Sequence, residues 1–403
     1  MKNGWPVKTL GEACEVINGG TPKTGTSAYW DGPHQWITPA EMGKRLSPYV
    51  DATERTITDA GLDNSSARPL PPKSVILSSR APIGHLVINT VPMATNQGCK
   101  GLVPRKGLYY KFLFYYLVSI RDQLDAMGTG ATFRELSGGK LKEVAIPLPP
   151  LPEQRRIVGI LDEAFAGIAT AKANAEKNLR NARALFDGGS KSAFEELGNN
   201  NNQKLLRDVC YVDRGSSPRP IKDYFTTAAD GVNWIKIGDS IEGDKYITAT
   251  KQKITPKGAL ESVRVKEGDF LLTNSMSFGR PYILKINGCI HDGWYCLRLN
   301  EGLDADYFYH LLSSAYVREQ FNRLASGSVV LNISSDLVKR AKLPIPPLAE
   351  QRKIVKRLDE LRAETHRLDS LYQRKLAALD ALKKSLLHQA FSGELAGKVL
   401  SAV

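Results

Sequence analysis

The chain has 403 residues, of which 42% are hydrophobic and 24% charged, the composition of an ordinary globular protein with room for two or three domains. No apolar run approaches the roughly 18 residues of a membrane span, and the first residues lack a signal-peptide pattern, so we expect a cytoplasmic protein and no membrane partner. The net charge of +13 favours a polyanionic partner, with nucleic acid first, although a charge that only serves solubility stays open. Five cysteines without a CxxC pair predict reduced, partly buried thiols rather than disulfides or a zinc site.

The first predicted domain covers residues 1–146 and is rich in short β-strands separated by turn residues. A single amphipathic helix is predicted over 109–127, where aromatic residues and leucines recur at helical spacing. The early loop GGTPKTGTS at 19–27 lacks the lysine of a Walker phosphate-binding motif. We interpret it either as a flexible loop whose backbone amides, Thr21 and Lys23 contact a DNA phosphate, or as an ordinary turn between strands.

Further cations and hydroxyl groups of this domain lie in glycine-containing segments, where small residues allow a close approach of the backbone. Arg80 and Lys100 are candidates for phosphate or base contacts. Thr129 and Arg134 follow the predicted helix in a second glycine loop and are candidate donors. All four residues are therefore predicted to contribute to a DNA-binding surface.

A segment of 17 residues occurs twice, as PLPPLPEQRRIVGILDE at 147–163 and as PIPPLAEQRKIVKRLDE at 344–360. The two copies are identical at 12 positions and are displaced by 197 residues. In each copy, prolines hold the backbone extended before a Glu-Gln pair that suits the first turn of a helix. A repeat of this length predicts a duplicated domain with its own helix rather than a solenoid of short repeats.

Apolar residues after each copy follow a heptad pattern that stutters at the equivalent place, which predicts two paired helices of about 34 residues each. The alternative is that each helix covers only its own domain. Gly188-Gly189 is predicted to end the first helix, and the polar run at 198–203 is predicted to be a linker. The short connection favours an antiparallel pair, with the two domains at opposite ends and related by a pseudo-two-fold axis. The predicted packing residues are Ile157, Leu161, Ile168, Leu179, Ile354, Leu358, Leu361, Leu368, Leu376 and Leu379.

The second predicted domain, at 198–343, repeats the outline of the first with different polar residues. Ser-Arg at 79–80 becomes Asn-Ser at 274–275, and Asn-Gln at 96–97 becomes His-Asp at 291–292. Two sites that read different sequences need a shared scaffold with different polar surfaces, although relaxation after duplication would look similar. The DNA-binding candidates in this half are Arg214, Arg219, Lys236, Arg280, Ser326 and Ser328.

Motifs for chemistry are missing from the sequence. We find no methyltransferase NPPY-type motif, no GxGxxG, no Walker A motif and no HExxH. The six histidines are scattered, and the acidic residues show no spacing typical of a nuclease centre. We therefore assign no catalytic and no metal-binding residue.

The order of several motifs resembles the specificity (S) subunit of type I restriction–modification enzymes over nearly the whole chain. These motifs are GGTPKT at 19–24, YWDG at 29–32, WITP at 36–39, RAPIG at 80–84, NQGCKGL at 96–102 and the two proline-rich repeats. The resemblance implies an α+β fold with two β-rich target-recognition domains, at 1–146 and 198–343. It also implies two long antiparallel coiled-coil helices as spacers, at 147–197 and, with a C-terminal tail, at 344–403.

The same resemblance implies a non-catalytic subunit that reads a bipartite target in double-stranded DNA. It further implies a scaffold for two methyltransferase subunits and for restriction subunits, with S-adenosylmethionine, ATP and Mg bound by these partners. The alternatives are a specificity module of a type II-like system, an autonomous DNA-modifying enzyme, and a coiled-coil scaffold without affinity for DNA. The second half departs from the family pattern, because RGSSPR at 214–219 replaces GGTP and the arginine of RAPIG is lost.

Overall fold

The computed structural model describes residues 4–80, 82–130, 134–199, 203–274, 279–325 and 334–396. The chain divides into two compact units, of which the first comprises Met1–Asn174 and Lys375–Val403 and the second comprises Ala175–Arg374. The divisions between the units fall inside two long helices. Each unit therefore combines a β-rich domain with part of both helices.

The first unit contains two sheets and a set of short helices. Its strands are β1 Val7–Thr9, β2 Cys14–Asn18, β3 Trp30–Ile37, β4 Tyr49–Val50, β5 Thr56–Ile57, β6 Val75–Ser79, β7 Ile83–Asn89, β8 Met93–Thr95, β9 Cys99–Pro104 and β10 Ala145–Pro147. Its helices are α1 Leu10–Ala13, α2 Pro39–Lys44, α3 Asp59–Asp63, α4 Tyr110–Ser119, α5 Arg121–Ala126, α6 Gly138–Glu143 and the first part of α7 Leu151–Asn199, with a 3-10 turn at Ser27–Tyr29. The main sheet has the order β2-β9-β6-β7-β4, the smaller sheet has the order β5-β3-β8, and β1 pairs with β10.

The second unit repeats this arrangement. Its strands are β11 Gln203–Leu205, β12 Cys210–Arg214, β13 Phe225–Thr226, β14 Val232–Ile235, β15 Tyr246–Ile247, β16 Gln252–Ile254, β17 Val263–Val265, β18 Phe270–Thr273, β19 Pro281–Leu284, β20 Gly288–Ile290, β21 Trp294–Leu299 and β22 Lys342–Pro344. Its helices are α8 Leu206–Val209, α9 Pro256–Leu260, α10 Ala305–Ser313, α11 Ala315–Ala325, α12 Ser335–Lys339 and most of α13 Leu348–Ser392, with 3-10 turns at Ile221–Tyr224 and Ile237–Asp239. A further 3-10 turn, Glu394–Ala396, follows α13 in the first unit.

The two main sheets correspond strand by strand, which confirms the predicted tandem duplication. The order β12-β21-β18-β19-β15 matches β2-β9-β6-β7-β4. In both sheets the last strand runs parallel to its neighbour, while the other neighbours are antiparallel. Val75 lies opposite Leu102 and Phe270 lies opposite Leu297, so the register makes residue 75 equivalent to residue 270. The smaller sheets differ, because the second unit adds β13 and β17 at its two edges.

Several short helices begin directly after a threonine or serine whose hydroxyl group caps the helix N-terminus. Thr38, Thr58 and Ser137 each accept a hydrogen bond from the backbone N–H three residues later, at the starts of α2, α3 and α6. Thr255 caps α9 in the second unit in the same way. Since Thr58 and Thr255 are equivalent in the repeat, the cap is part of the duplicated scaffold.

The predicted helix at 109–127 is wrong as one continuous element. It forms α4 and α5, separated at Ile120, whose backbone leaves the helical region at φ −107° and ψ 18°. Both helices contact β7 and both bury leucines, Leu117 in α4 and Leu124 in α5. The break allows each short helix to bury its own apolar face against the sheet.

The helices α7 and α13 run antiparallel within each unit, as predicted. In the first unit, Lys172 Nζ lies 2.7 Å from Asp380 Oδ1, and the Arg156 side chain donates to the Leu395 carbonyl. In the second unit, Arg183 Nε lies 2.7 Å from Asp369 Oδ1. The predicted packing residues are all buried or half-buried: Ile157, Leu161, Ile168, Leu179, Ile354, Leu358, Leu361, Leu368, Leu376 and Leu379. None of the described helices is long and apolar enough to cross a membrane.

The predicted end of the first helix at Gly188-Gly189 is wrong, because α7 continues to Asn199 and has 49 residues. Gly189 instead permits a close approach of α13, since a Cβ atom there would lie 2.8 Å from Leu361 Cδ2. Beyond the glycines, Phe194 is fully buried and its ring lies 5.7 Å from the Tyr307 ring. This burial stabilises the last turns of the helix despite the two glycines.

Candidate nucleic-acid interface

The glycine loop at 19–23 is fixed by close contacts with the turn between β8 and β9. The amide of Gly19 donates to the Cys99 carbonyl at 3.1 Å, and the amide of Gly20 donates to the Thr95 carbonyl at 2.9 Å. A Cβ atom on Gly19 would lie 2.0 Å from the Asn96 carbonyl oxygen, so only glycine fits there. The interpretation of a flexible loop with free amides is therefore wrong for these two glycines, whose N–H groups are already used.

The side chains of this loop have two different roles. Thr21 Oγ1 accepts a hydrogen bond from Asn96 Nδ2 at 3.0 Å, which ties the loop to the next turn. Trp36 Nε1 donates to the Gly20 carbonyl at 2.9 Å, and Trp30 Nε1 donates to the Lys23 carbonyl at 3.2 Å. With its backbone held in this way, Lys23 presents an exposed ammonium group.

Three of the predicted residues of the first unit meet around Glu135, which the sequence did not single out. Glu135 Oε2 lies 3.8 Å from Arg80 Nη1, and Glu135 Oε1 lies 3.7 Å from Lys100 Nζ. The backbone of Glu135 pairs with that of Thr129 through two hydrogen bonds of 2.9 and 3.0 Å. We call Arg80, Lys100, Thr129 and Glu135 the Glu135 cluster. No motif marks Glu135, because its partners come from two distant strands and a loop.

Arg134 lies outside this cluster. Its guanidinium is 3.5 Å from Asp125 Oδ2 and donates to the Ala126 carbonyl, so the side chain contacts the end of α5. The prediction for Ser326 and Ser328 falls outside the described residues.

In the second unit, residues 215–219 stand at the position of the loop at 19–23 and repeat the contacts of its first glycine. The Gly215 amide donates to the Trp294 carbonyl at 2.9 Å, and a Cβ atom on Gly215 would lie 2.0 Å from the His291 carbonyl oxygen. These are the contacts of Gly19, so Ser217 takes the place of Thr21 and Arg219 that of Lys23. The contacts of the first glycine are therefore kept, although this segment departs from the family motif.

Ser217 contacts a carboxylate that stands where the first unit has an amide. Ser217 Oγ donates to Asp292 Oδ1 at 2.8 Å, where Asp292 stands at the position of Gln97. This hydrogen bond, with a smaller contribution from the charge of Arg219, lowers the pKa of Asp292 below its ordinary value. The carboxylate is thus an acceptor at neutral pH, on a surface where the first unit has a neutral amide.

The remaining candidates of the second unit occupy separate positions. Lys236 Nζ donates to Gln252 Oε1 at 2.6 Å, and Arg280 Nη2 lies 2.5 Å from Glu242 Oε1. Arg214 is exposed at the end of β12.

The Glu135 cluster has no copy in the second unit. The register places the buried Tyr295 at the position of Lys100, and Ser275, outside the described residues, at the position of Arg80. The two units therefore share the position of one loop cation and differ in the cations near it. Among the described residues, no group of three or more His, Cys, Asp and Glu is arranged to hold a metal ion.

Arg55 is a further residue of this surface that the sequence did not reveal. Its guanidinium carbon lies 3.7 Å from the ring centroid of Trp30 and 5.6 Å from that of Trp36. These indoles also hold the backbone of the glycine loop, so Arg55 and Lys23 share one surface. An arginine in a polar segment such as TERTIT at 53–58 carries no recognisable signal, and only the tertiary contact identifies it.

The chain thus consists of two duplicated units, each with a loop that presents a cation and each completed by an antiparallel helix pair. The family model of the type I restriction modification DNA specificity domain matches residues 2–179 and 199–373. The chain belongs to this family, and the resemblance predicted from its motifs is confirmed.

Individual relatives agree with this assignment. The specificity subunit of the type I restriction enzyme MjaIX from Methanocaldococcus jannaschii is 37% identical over 255 residues, which are 59% of each chain. The match thus spans about three fifths of the length of that relative. In fold, the chain is similar to a chain from a structure of complex assembly and conformational transition of the type I R-M system, with a TM-score of 0.77, 20% identity and coverage of 97% and 98%. The HsdS subunit from Thermoanaerobacter tengcongensis gives a TM-score of 0.65 at 19% identity, with 98% of each chain covered.

Proposed function

We propose that this chain is the DNA-recognition subunit of a type I restriction–modification complex. The observation that carries the proposal is the repeated loop at 19–23 and 215–219, which presents Lys23 and Arg219 at equivalent positions in a family of DNA specificity domains. Cations at fixed positions neutralise phosphates and set the register of a protein on the duplex. The net charge of +13 agrees with such a partner.

In this proposal, the target is bipartite and each unit reads one half-site in the major groove, where all four base pairs are distinguishable. The two half-sites are separated by unread base pairs and lie about one helical turn apart. Support comes from a scaffold that is kept in both units while its polar residues change, as between Gln97 and Asp292.

The proposed partners are two methyltransferase subunits, together with restriction subunits that join the complex. Exposed apolar residues recur at equivalent positions and offer two similar surfaces for two identical partners. Tyr49 and Tyr246 begin the edge strands β4 and β15, and Leu151 and Leu348 begin the two long helices.

The proposal assigns all bond-making to the partner subunits. The partners bind S-adenosylmethionine, ATP and Mg, and they take the target base out of the helix for methylation. The chain itself reads DNA and works in the cytoplasm, where the DNA is.

The test compares the purified chain with the chain co-produced with its methyltransferase subunits. We expect no methyl transfer and no cleavage by the chain alone, because its sequence has no motif for that chemistry and its described residues include no group arranged to hold a metal ion. In the assembled complex, sequencing of modified bases should give one motif with two short halves. Robust methyl transfer by the chain alone, or a motif of contiguous bases, would contradict the proposal.

A further inference from the structure

Two polar residues occupy equivalent positions at the smaller sheets of the two units: Arg55 directly precedes β5, and Gln252 begins β16. Thr56 pairs with Gln35 in the first unit, and Lys253 pairs with Asn233 in the second. The preceding residues, Arg55 and Gln252, are therefore equivalent. Their environment is also repeated, since the hydroxyl two residues before each one donates to its carbonyl, at 2.7 Å from Thr53 and 3.1 Å from Thr250.

Arg55 is suited to bind a planar ligand. Its exposed guanidinium lies over Trp30, with the guanidinium carbon 3.7 Å from the ring centroid, and this contact restricts the side chain. Within the described ranges, no carboxylate lies in ion-pair distance of Arg55. Its fork of donors is therefore available for a bidentate contact.

Gln252 is held in a different way at the same place. Lys236 Nζ donates to Gln252 Oε1 at 2.6 Å, which fixes the amide. The amide oxygen keeps a second lone pair, and the amide nitrogen keeps two donors. Gln252 is half-buried between the exposed Lys251 and Lys253, so both of its neighbours in sequence are cations.

We propose that Arg55 and Gln252 are base-reading residues at one equivalent position, where Arg55 selects guanine in one half-site and Gln252 selects adenine in the other. The inference rests on the proposed function, because it needs DNA on this surface of each unit. Arginine matches the O6 and N7 acceptors of guanine, and glutamine matches the N7 acceptor and N6 donor of adenine. One substitution at a fixed scaffold position thus gives the two units different specificities.

The experiment exchanges the two residues in the assembled complex and determines the modified motif by sequencing. Arg55→Gln should change one position of one half-site from guanine to adenine. Gln252→Arg should change one position of the other half-site from adenine to guanine. Discrimination between the two bases should shift by roughly 5- to 150-fold at that position, with the other half-site unchanged.

Arg55→Lys separates base reading from phosphate contact and covers the case in which an exchange variant does not fold. Lysine keeps the charge but not the fork, so guanine preference should fall while the salt dependence of binding stays unchanged. Arg105→Gln is the matched control. Arg105 is exposed and directly follows the C-terminal end of β9, whereas Lys100 lies near the N-terminal end of that strand.

The outcomes distinguish this inference from the proposed function. A bipartite motif in the unaltered complex that stays the same in Arg55→Gln, Gln252→Arg and Arg55→Lys would overturn the inference alone. A complex without any bipartite motif would overturn both.

Discussion

Lys23 and Arg219 are exposed cations that follow a hydroxyl residue tied to the adjacent turn in each unit. In each loop the first glycine is held by a backbone hydrogen bond, from Gly19 to the first residue of β9 and from Gly215 to the first residue of β21. Only the long side chains therefore have to be ordered when a phosphate is contacted. A contact of this kind positions the protein on DNA without reading a base.

We predict that Lys23→Ala and Arg219→Ala each weaken binding to all duplex sequences alike. Each variant should also reduce the slope of log affinity against log salt by about one, because one phosphate contact is lost. Titration of duplex DNA at several salt concentrations measures both effects. Lys106→Ala is the control, since Lys106 is exposed beyond the opposite end of β9. An unchanged salt slope in Lys23→Ala would show that Lys23 does not contact a DNA phosphate.

At the scale of elements, the long helix α7 contains two adjacent glycines, Gly188 and Gly189, in its interior. Neither Gly188 nor Gly189 adopts the left-handed conformation of a helix end, and both lie inside α7. A Cβ atom on Gly188 would meet no neighbour, whereas one on Gly189 would meet Leu361. Gly188 is therefore an ordinary interior position of α7, whereas Gly189 allows the close approach of α13.

We predict that Gly188→Ala stabilises the protein by about 0.5–1 kcal/mol, because alanine loses less backbone entropy than glycine in a helix. Gly189→Ala should gain less, since the added methyl group displaces the Leu361 side chain. Urea denaturation of the two variants and the unaltered chain gives the comparison. Clear destabilisation by Gly188→Ala would show that the helix ends at this glycine after all.

The sequence was most informative where a local pattern determines the structure. Hydrophobic runs and the repeated proline-rich segment predicted the strands, the duplication and the helix pair, because periodicity and breakers act locally. The end of α7 was missed, since burial of Phe194 outweighs the poor helix propensity of two glycines. Arg55 and Glu135 were missed for the same physical reason, because their roles arise from partners that are distant in sequence.

At the scale of the whole molecule, ion pairs link α7 to α13, and a change in helix length has to keep these pairs in register. Lys172 pairs with Asp380, and Arg183 pairs with Asp369. A heptad inserted into α7 between 172 and 183, together with one in α13 between 369 and 380, leaves both pairs and the heptad register intact. We expect this double insertion to fold.

If the helices set the half-site separation, seven added residues per helix lengthen each by about 10 Å. Seven residues turn a helix by nearly two full revolutions, whereas three extra base pairs rotate the second half-site by roughly 100°. The variant should therefore lose its original target, and either prefer a spacer longer by about three base pairs at roughly 3.4 Å each or bind only non-specifically. Selection from duplexes with variable spacers measures this preference. A heptad in α7 alone is the control and should lower Tm, because it shifts one seam against the other. An unchanged spacer in the double insertion would show that the helices do not set the distance.

The central claim is that each unit reads one half of a bipartite target, and a domain exchange tests it most directly. Residues 5–146 are replaced by the corresponding segment of another member of the family, and the modified motif of the assembled complex is determined by sequencing. Because the loops at 19–23 and 215–219 are built separately within their own units, we predict that one half of the motif changes and the other is kept. A change in both halves, or in neither, would contradict the account.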